Sequence, residues 1–191
     1  MLRSNFLLAG VALLLGTTAP ACGASPPMAG IANAQAPTAE SYAGASTALF
    51  DDGIEPEAVG FNLDPSPAPR GDAILRARTQ RADCVLRVRV VTVTSKREDV
   101  GDHWRIGLVT LERLAGERCP AHDFTLDVAD GAAGSSVLRT FDGRLVGVNL
   151  VAFVRQFRGA GGEAAFHFHM APEGKEELNA VRVAALLGEV R

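Results

Sequence analysis

Two histidines one residue apart, His167 and His169, are the pair in this chain best spaced for chemistry. On a strand, residues i and i+2 project from one face, so their imidazoles would stand side by side. Zinc takes histidine nitrogens in tetrahedral sets, and His103 or His122 could enlarge the pair into one. No Cys-x-x-Cys or His-Glu-x-x-His spacing accompanies them. The competing reading is a solvated strand face opposite Phe166 and Phe168. Nucleophilic chemistry has less to work with. Ser135 and Ser136 lack a Gly-x-Ser-x-Gly setting. Asp127, Asp130 and Asp142 are acids beside loops, with no nucleophile–base–orienter set around them. The glycines at 159–162 read as a hairpin tip, because the strand-then-helix context of a phosphate cradle does not follow. Arg87 and Arg89 share a strand face and could hold an anion, though a solvated face is the simpler account. Single-strand nucleic-acid binding needs stacking aromatics, and only Trp104 offers itself. The expectation is no catalytic residue, no cofactor and no nucleic-acid partner.

Strands dominate the segment that carries these residues. Cys84 to Thr94 is rich in β-branched side chains. Leu86, Val88 and Val90 alternate with Arg87 and Arg89, and then Val91 and Val93 take the opposite parity. A parity change inside one long strand predicts a bulge, the device that curves sheets. A second strand follows over 103–114, with Trp104, Ile106 and Leu108 on one face. Phe124, Leu126 and Val128 mark a short third. Ser135 or Ser136 could cap a helical turn through Phe141, and Asp142-Gly143 signals a turn. Residues 145–157 read as a fourth strand and 164–170 as a fifth. Asp72 is placed to cap a helix over 73–82, and a terminal helix is expected over 175–188.

Five strands with a short helix between the third and fourth give the order of an OB barrel. Val85 to Val93, Gly116 after a second strand, and Gly143-Arg-Leu-Val-Gly-Val-Asn-Leu-Val-Ala-Phe153 resemble the netrin-like module. That is the OB barrel of tissue inhibitors of metalloproteinases and of netrin and complement C-terminal domains. The resemblance implies a mainly β, five-stranded OB-like barrel with short flanking helices over residues 71–191. It also raises a protease-inhibitor-like module. In those inhibitors a terminal cysteine chelates the protease zinc, a role that does not carry over to Cys22, about 50 residues before the domain.

The remaining residues say where such a domain would work. Residues 1–21 have the layout of a secretion signal: Arg3, an apolar run from Phe6 to Leu15, then small residues. The run is too short for a membrane span, which needs about 20 apolar residues. Thr18-Ala-Pro-Ala-Cys22-Gly23 resembles a bacterial lipobox, with Ala19 where leucine is usual. The resemblance implies lipidation of Cys22 and a membrane anchor. Gly23 at the following position resembles outer-membrane sorting. Ala19 and Ala21 also form an A-x-A site for ordinary cleavage, which would release a soluble protein.

The chain holds three cysteines. With Cys22 acylated, Cys84 and Cys119 remain as an even pair in a compartment where disulfides persist. A hairpin turning near residue 99 would bring them together. Residues 22–70 hold seven of the ten prolines among Ala, Gly, Ser and Thr, and read as a disordered linker. Within it Leu49 to Leu63 interleaves acids with apolar residues, and either is sticky linker or docks. The expectation is an exported, non-enzymatic envelope lipoprotein facing the periplasm or cell surface. Its ligand would be an envelope protein, a glycan or a small molecule. The alternatives are a histidine-based metal-binding protein or metalloenzyme, and a protease-inhibitor-like module.

Overall fold

Asp72 caps a helix as its sequence position predicts. In the computed structural model, which describes residues 39–61, 69–99, 101–159 and 162–189, its carboxylate accepts hydrogen bonds from Ile74 N and Leu75 N. The helix α2 then runs Ala73–Arg81, after a short α1 at Ala45–Leu49. Asp72→Ala removes the acceptor for two amides that have no partner inside the helix, so thermal unfolding should report a loss of about 1 kcal/mol. No loss would mean that water satisfies those amides equally well.

Among the described residues, six strands form one curled sheet in a mainly β fold. They are β1 Gly53–Ile54, β2 Cys84–Glu98, β3 Gly101–Gly116, β4 Asp123–Ala129, β5 Asn149–Arg158 and β6 Ala164–Pro172. Their order across the sheet is β1-β6-β5-β2-β3-β4. All neighbours are antiparallel except β1 and β6, which run parallel. The expected five strands are therefore six, because Gly53–Ile54 joins the sheet from the stretch read as linker. The β2–β3 register shifts between Val90 and Thr92, where the side-chain parity of the sequence changes. Val91 is pushed outward there, and β2 bends.

The sheet buries both faces. On the inner face Leu86, Val88, Trp104, Ile106, Leu126 and Phe168 pack with Val137, Leu138 and Leu145 of α3, Ser135–Leu145. The helix α3 runs through Asp142-Gly143, read as a turn, but it kinks at Phe141 (φ −133°, ψ 20°). Its N-cap is Gly134, so neither Ser135 nor Ser136 serves as the cap. The outer face, with Val85, Val151, Phe153 and Phe157, lies under α1, α2 and a terminal α4, Lys175–Glu189. No helix among the described residues is long and apolar enough to cross a membrane.

The stretch 39–61 is built into this body. Phe50 is fully buried on the outer face, and Ile54 and Val59 enter the inner core. Burying each of these side chains stabilises by about 1.5–3 kcal/mol. That offsets the ordering of a segment whose prolines and small residues alone would leave it loose.

Candidate functional site

Strand alternation on β6 sorts its residues by face. Phe168 and Met170 fill the inner core, while His167 and His169 point outward with Ala171. Opposite them in the register stand Arg155 and Phe153 on β5. The outward histidines are not solvated: His169 is only 7% exposed. What covers them is the segment that leaves α1.

That segment is bonded to its surroundings on two sides. Asp52 N donates to Phe168 O and Glu55 N to Met170 O, both at 2.9 Å. On its other flank Gly134 N donates to Asp52 O at 3.0 Å, at the start of α3. The segment thus fills the side of the sheet between β6 and the β4–α3 connection. Asp52 adopts φ 53°, a left-handed conformation that Asp tolerates better than most residues. Its Oδ1 accepts from Phe168 N at 3.1 Å and its Oδ2 meets His167 Nδ1 at 2.8 Å.

His169 is held by two carboxylates at once. Its Nδ1 lies 2.8 Å from Asp51 Oδ1 and its Nε2 lies 3.1 Å from Glu55 Oε1. Ionised carboxylates only accept, so both ring nitrogens must donate. The arrangement favours the imidazolium form of His169. Arg78, almost fully buried on α2, adds a second cation: its Nε donates to Leu49 O at 2.9 Å and its guanidinium lies 3.7 Å from Glu55. Two acids and two bases balance, as buried charges must.

The titration shifts follow. Burial opposes the charged form of His169, yet the hydrogen bonds it donates to Asp51 and Glu55 outweigh it and raise its pKa above the ordinary value. Burial would likewise raise Asp51, but the bond to His169 wins and its pKa falls. Gly53 leaves room for this arrangement. A Cβ there would sit 2.5 Å from Asp51 Oδ1 and 3.0 Å from His169 Nδ1. Tyr42 closes the cluster. Its ring stacks on His167 with centroids 3.5 Å apart, and its hydroxyl donates to Phe50 O at 2.7 Å. Burial, then the charges of Asp52 and Asp51, push the Tyr42 hydroxyl up to about 12.

The other sequence candidates scatter. His103 and Arg105 share Asp127, and His122 lies near Asp123, both on the exposed surface of β3 and β4. Neither His103 nor His122 is brought to His167 and His169. Among the described residues, no group of three His, Cys, Asp or Glu side chains could hold a metal ion. Arg87 is paired with Glu173 at 2.7 Å, while Arg89 stays exposed. Trp104 is buried, so it offers no stacking surface. Gly162 N donates to Gly159 O in a hairpin tip between β5 and β6. Cys84 and Cys119 stand at disulfide distance, with Cα atoms 5.0 Å apart. Cys22 and residues 1–21 lie outside the described residues.

The cluster around His169 was half legible in the sequence. The two histidines stood out, and so did the acid-rich apolar stretch near Asp51. Nothing in the sequence joined them, because the pairs are 114–118 positions apart. No protein-family model matches the chain, and no curated protein matches it either.

Proposed function

We propose that this chain is an exported envelope lipoprotein whose folded domain is a non-enzymatic binding module, lipidated at Cys22. The observation that carries the reading is the pairing of cysteines. Cys84 and Cys119 stand within reach of one another, which leaves Cys22, directly after a leader-like stretch, as the odd thiol. An even structural pair suits an oxidising compartment, and the remaining thiol is then free for acylation. The strand order β4-β3-β2-β5-β6 supports an OB-like plan of the netrin-like kind, with β1 added at one edge.

The histidines support a non-enzymatic role. His169 spends both ring nitrogens on Asp51 and Glu55, and His167 spends one on Asp52. Their work is to hold residues 50–55 against the sheet. The ligand remains a class: an envelope protein, a glycan or a small molecule, with the membrane met through the anchor.

Metabolic labelling of producing bacteria with a radioactive fatty acid tests the anchor. The wild-type full chain should take up label and sediment with membranes, and Cys22→Ser should do neither. An unlabelled wild-type chain that keeps residues 1–21 in the cytosol sinks the reading. Metal analysis of the native protein tests the non-enzymatic part. Stoichiometric zinc or copper, lost in His167→Ala/His169→Ala while the fold persists, would favour the metal-site alternative.

A further inference from the structure

The strand β6 has nine residues, and β1 pairs with two of them: Gly53 lies beside His169 and Ile54 beside Met170. On any strand the backbone groups of every second residue point away from a given neighbour. On the β1 side of β6 that series includes Phe168 and Met170, whose carbonyls accept from Asp52 N and Glu55 N. The next members are Phe166 and Ala164. Among the described residues nothing bonds their backbone on that side, and Phe166 is 40% exposed. The cause is local. Carried back, the parallel register sets residues 48 and 50 level with 164 and 166. Residues 45–49 are instead wound into α1, and Phe50 turns into the outer core. Even Phe168 N has no strand beside it. It donates to the Asp52 carboxylate, where a neighbouring strand would set a carbonyl.

A row of open backbone groups is matched by another extended backbone. The surroundings say which side chains it must carry. On a strand, residues i and i+2 share a face. An added strand would therefore set two alternate residues opposite His167 and His169, with Arg155 and Arg78 nearby. Acids suit that place, and Asp51, Asp52 and Glu55 fill it now. Its other face would meet Phe166, Phe168 and Met170, which calls for apolar residues between the acids. The far wall offers donors as well: Ala133 N and Gly134 N, now bonded to Asp51 O and Asp52 O. We propose that the β6 edge is a strand-addition site for another envelope protein. An extended segment with acids at alternate positions lifts residues 51–55 away and runs parallel to β6 from Ala164 to Met170. This rests on the reading of the domain as a binding module, and it names the class of partner. Residues 51–55 are then a tethered competitor, covering less of the edge than the ligand does. The longer strand displaces them because it also satisfies Ala164 and Phe166.

The probe is a labelled Val-Thr-Val-Glu-Val-Glu-Ile peptide, added to the full chain carrying Cys22→Ser. That chain takes up no lipid, so the outcome is independent of the fatty-acid labelling and the two readings fail separately. Fluorescence anisotropy should show saturable binding, and the amides of Ala164 and Phe166 should exchange more slowly with the peptide present. Asp52→Ala removes the cap on Phe168 N and loosens the competitor, so the peptide should bind it about tenfold tighter. Adding His167→Gln to that variant should weaken binding about tenfold, the scale of one charge-assisted hydrogen bond. Thermal unfolding checks that each variant is folded. The same peptide with lysine for both glutamates should not bind. Absence of binding to both the wild-type sequence and Asp52→Ala overturns the proposal. So does binding that leaves the Phe166 amide unprotected, binding indifferent to the Asp52 and His167 changes, or a preference for the lysine peptide.

Discussion

Replacing Cys84 and Cys119 together by serine should lower the unfolding free energy by about 4 kcal/mol, the chain-entropy value for a closed loop of this length. For a domain of this size, that moves the midpoint of thermal unfolding down by roughly 10 °C. The bond spans 35 positions and encloses the entire β2–β3 hairpin, so opening it frees the longest strand pair in the sheet. The native geometry favours closure without rearrangement. Cys84 pairs with Gly116 at the end of the ladder. There the chain leaves β3 at φ 82° and passes so close to Asp83 that a Cβ on Gly116 would meet its carbonyl oxygen at 2.2 Å. The close pass turns residues 117–119 back over Cys84. The same variants under reducing conditions should match the reduced wild type. A double-serine chain that melts within about 2 °C of the oxidised wild type would show that strand pairing alone fixes this corner, since about 2–4 °C is the yield of a single kcal/mol at this size.

That corner was readable in the sequence because its determinants are local. The alternation of Leu86, Val88 and Val90 set the strand, and the switch of parity at Val91 marked the bulge. The hairpin centred near residue 99 then placed the cysteines. Asp72 likewise declared its helix within three residues. The stretch 39–61 obeys no such local rule. Two residues, Gly53 and Ile54, are too few to display a period of two, and the prolines around them argue for disorder. What orders them is burial of Phe50, Ile54 and Val59, together with charges contributed by β6 and α2. Both are properties of the assembled fold. The Asp142-Gly143 pair failed for the opposite reason. Its turn chemistry is local and strong, yet Leu138 and Leu145 bury on the same inner core, and the helix accommodates the pair with a kink at Phe141.

His169→Gln should cost about 2 kcal/mol at pH 6, less than the roughly 3–5 kcal/mol for breaking a fully buried ion pair, because the Asp51 and Glu55 side chains are 33% and 35% exposed and water screens them. Asp51 and Glu55 would be left with Arg78 as their one buried cation, and the amide of Gln cannot supply the missing charge. The pH dependence separates this from lost packing. The pKa of His169 is raised above 6.5 in the folded chain. Its contribution is therefore complete below 6.5 and is lost as the pH climbs through the folded value. Asp51 works in the other sense. Its pKa is lowered from 3.8, so its contribution is complete above that and is lost as the pH falls through the folded value. Between 3.8 and 6.5 both are intact, and there the difference between wild type and His169→Gln should be greatest. Above that window the difference should shrink steadily, because neutral His169 can donate to only one of its two carboxylates. The groups facing His169 are Asp51, Glu55 and Arg78. Chemical denaturation of both chains from pH 5 to pH 9 measures it. Two parallel curves would mean that His169 is neutral throughout, and that the segment from Phe50 to Glu55 is held by apolar burial and its backbone bonds to β6 alone.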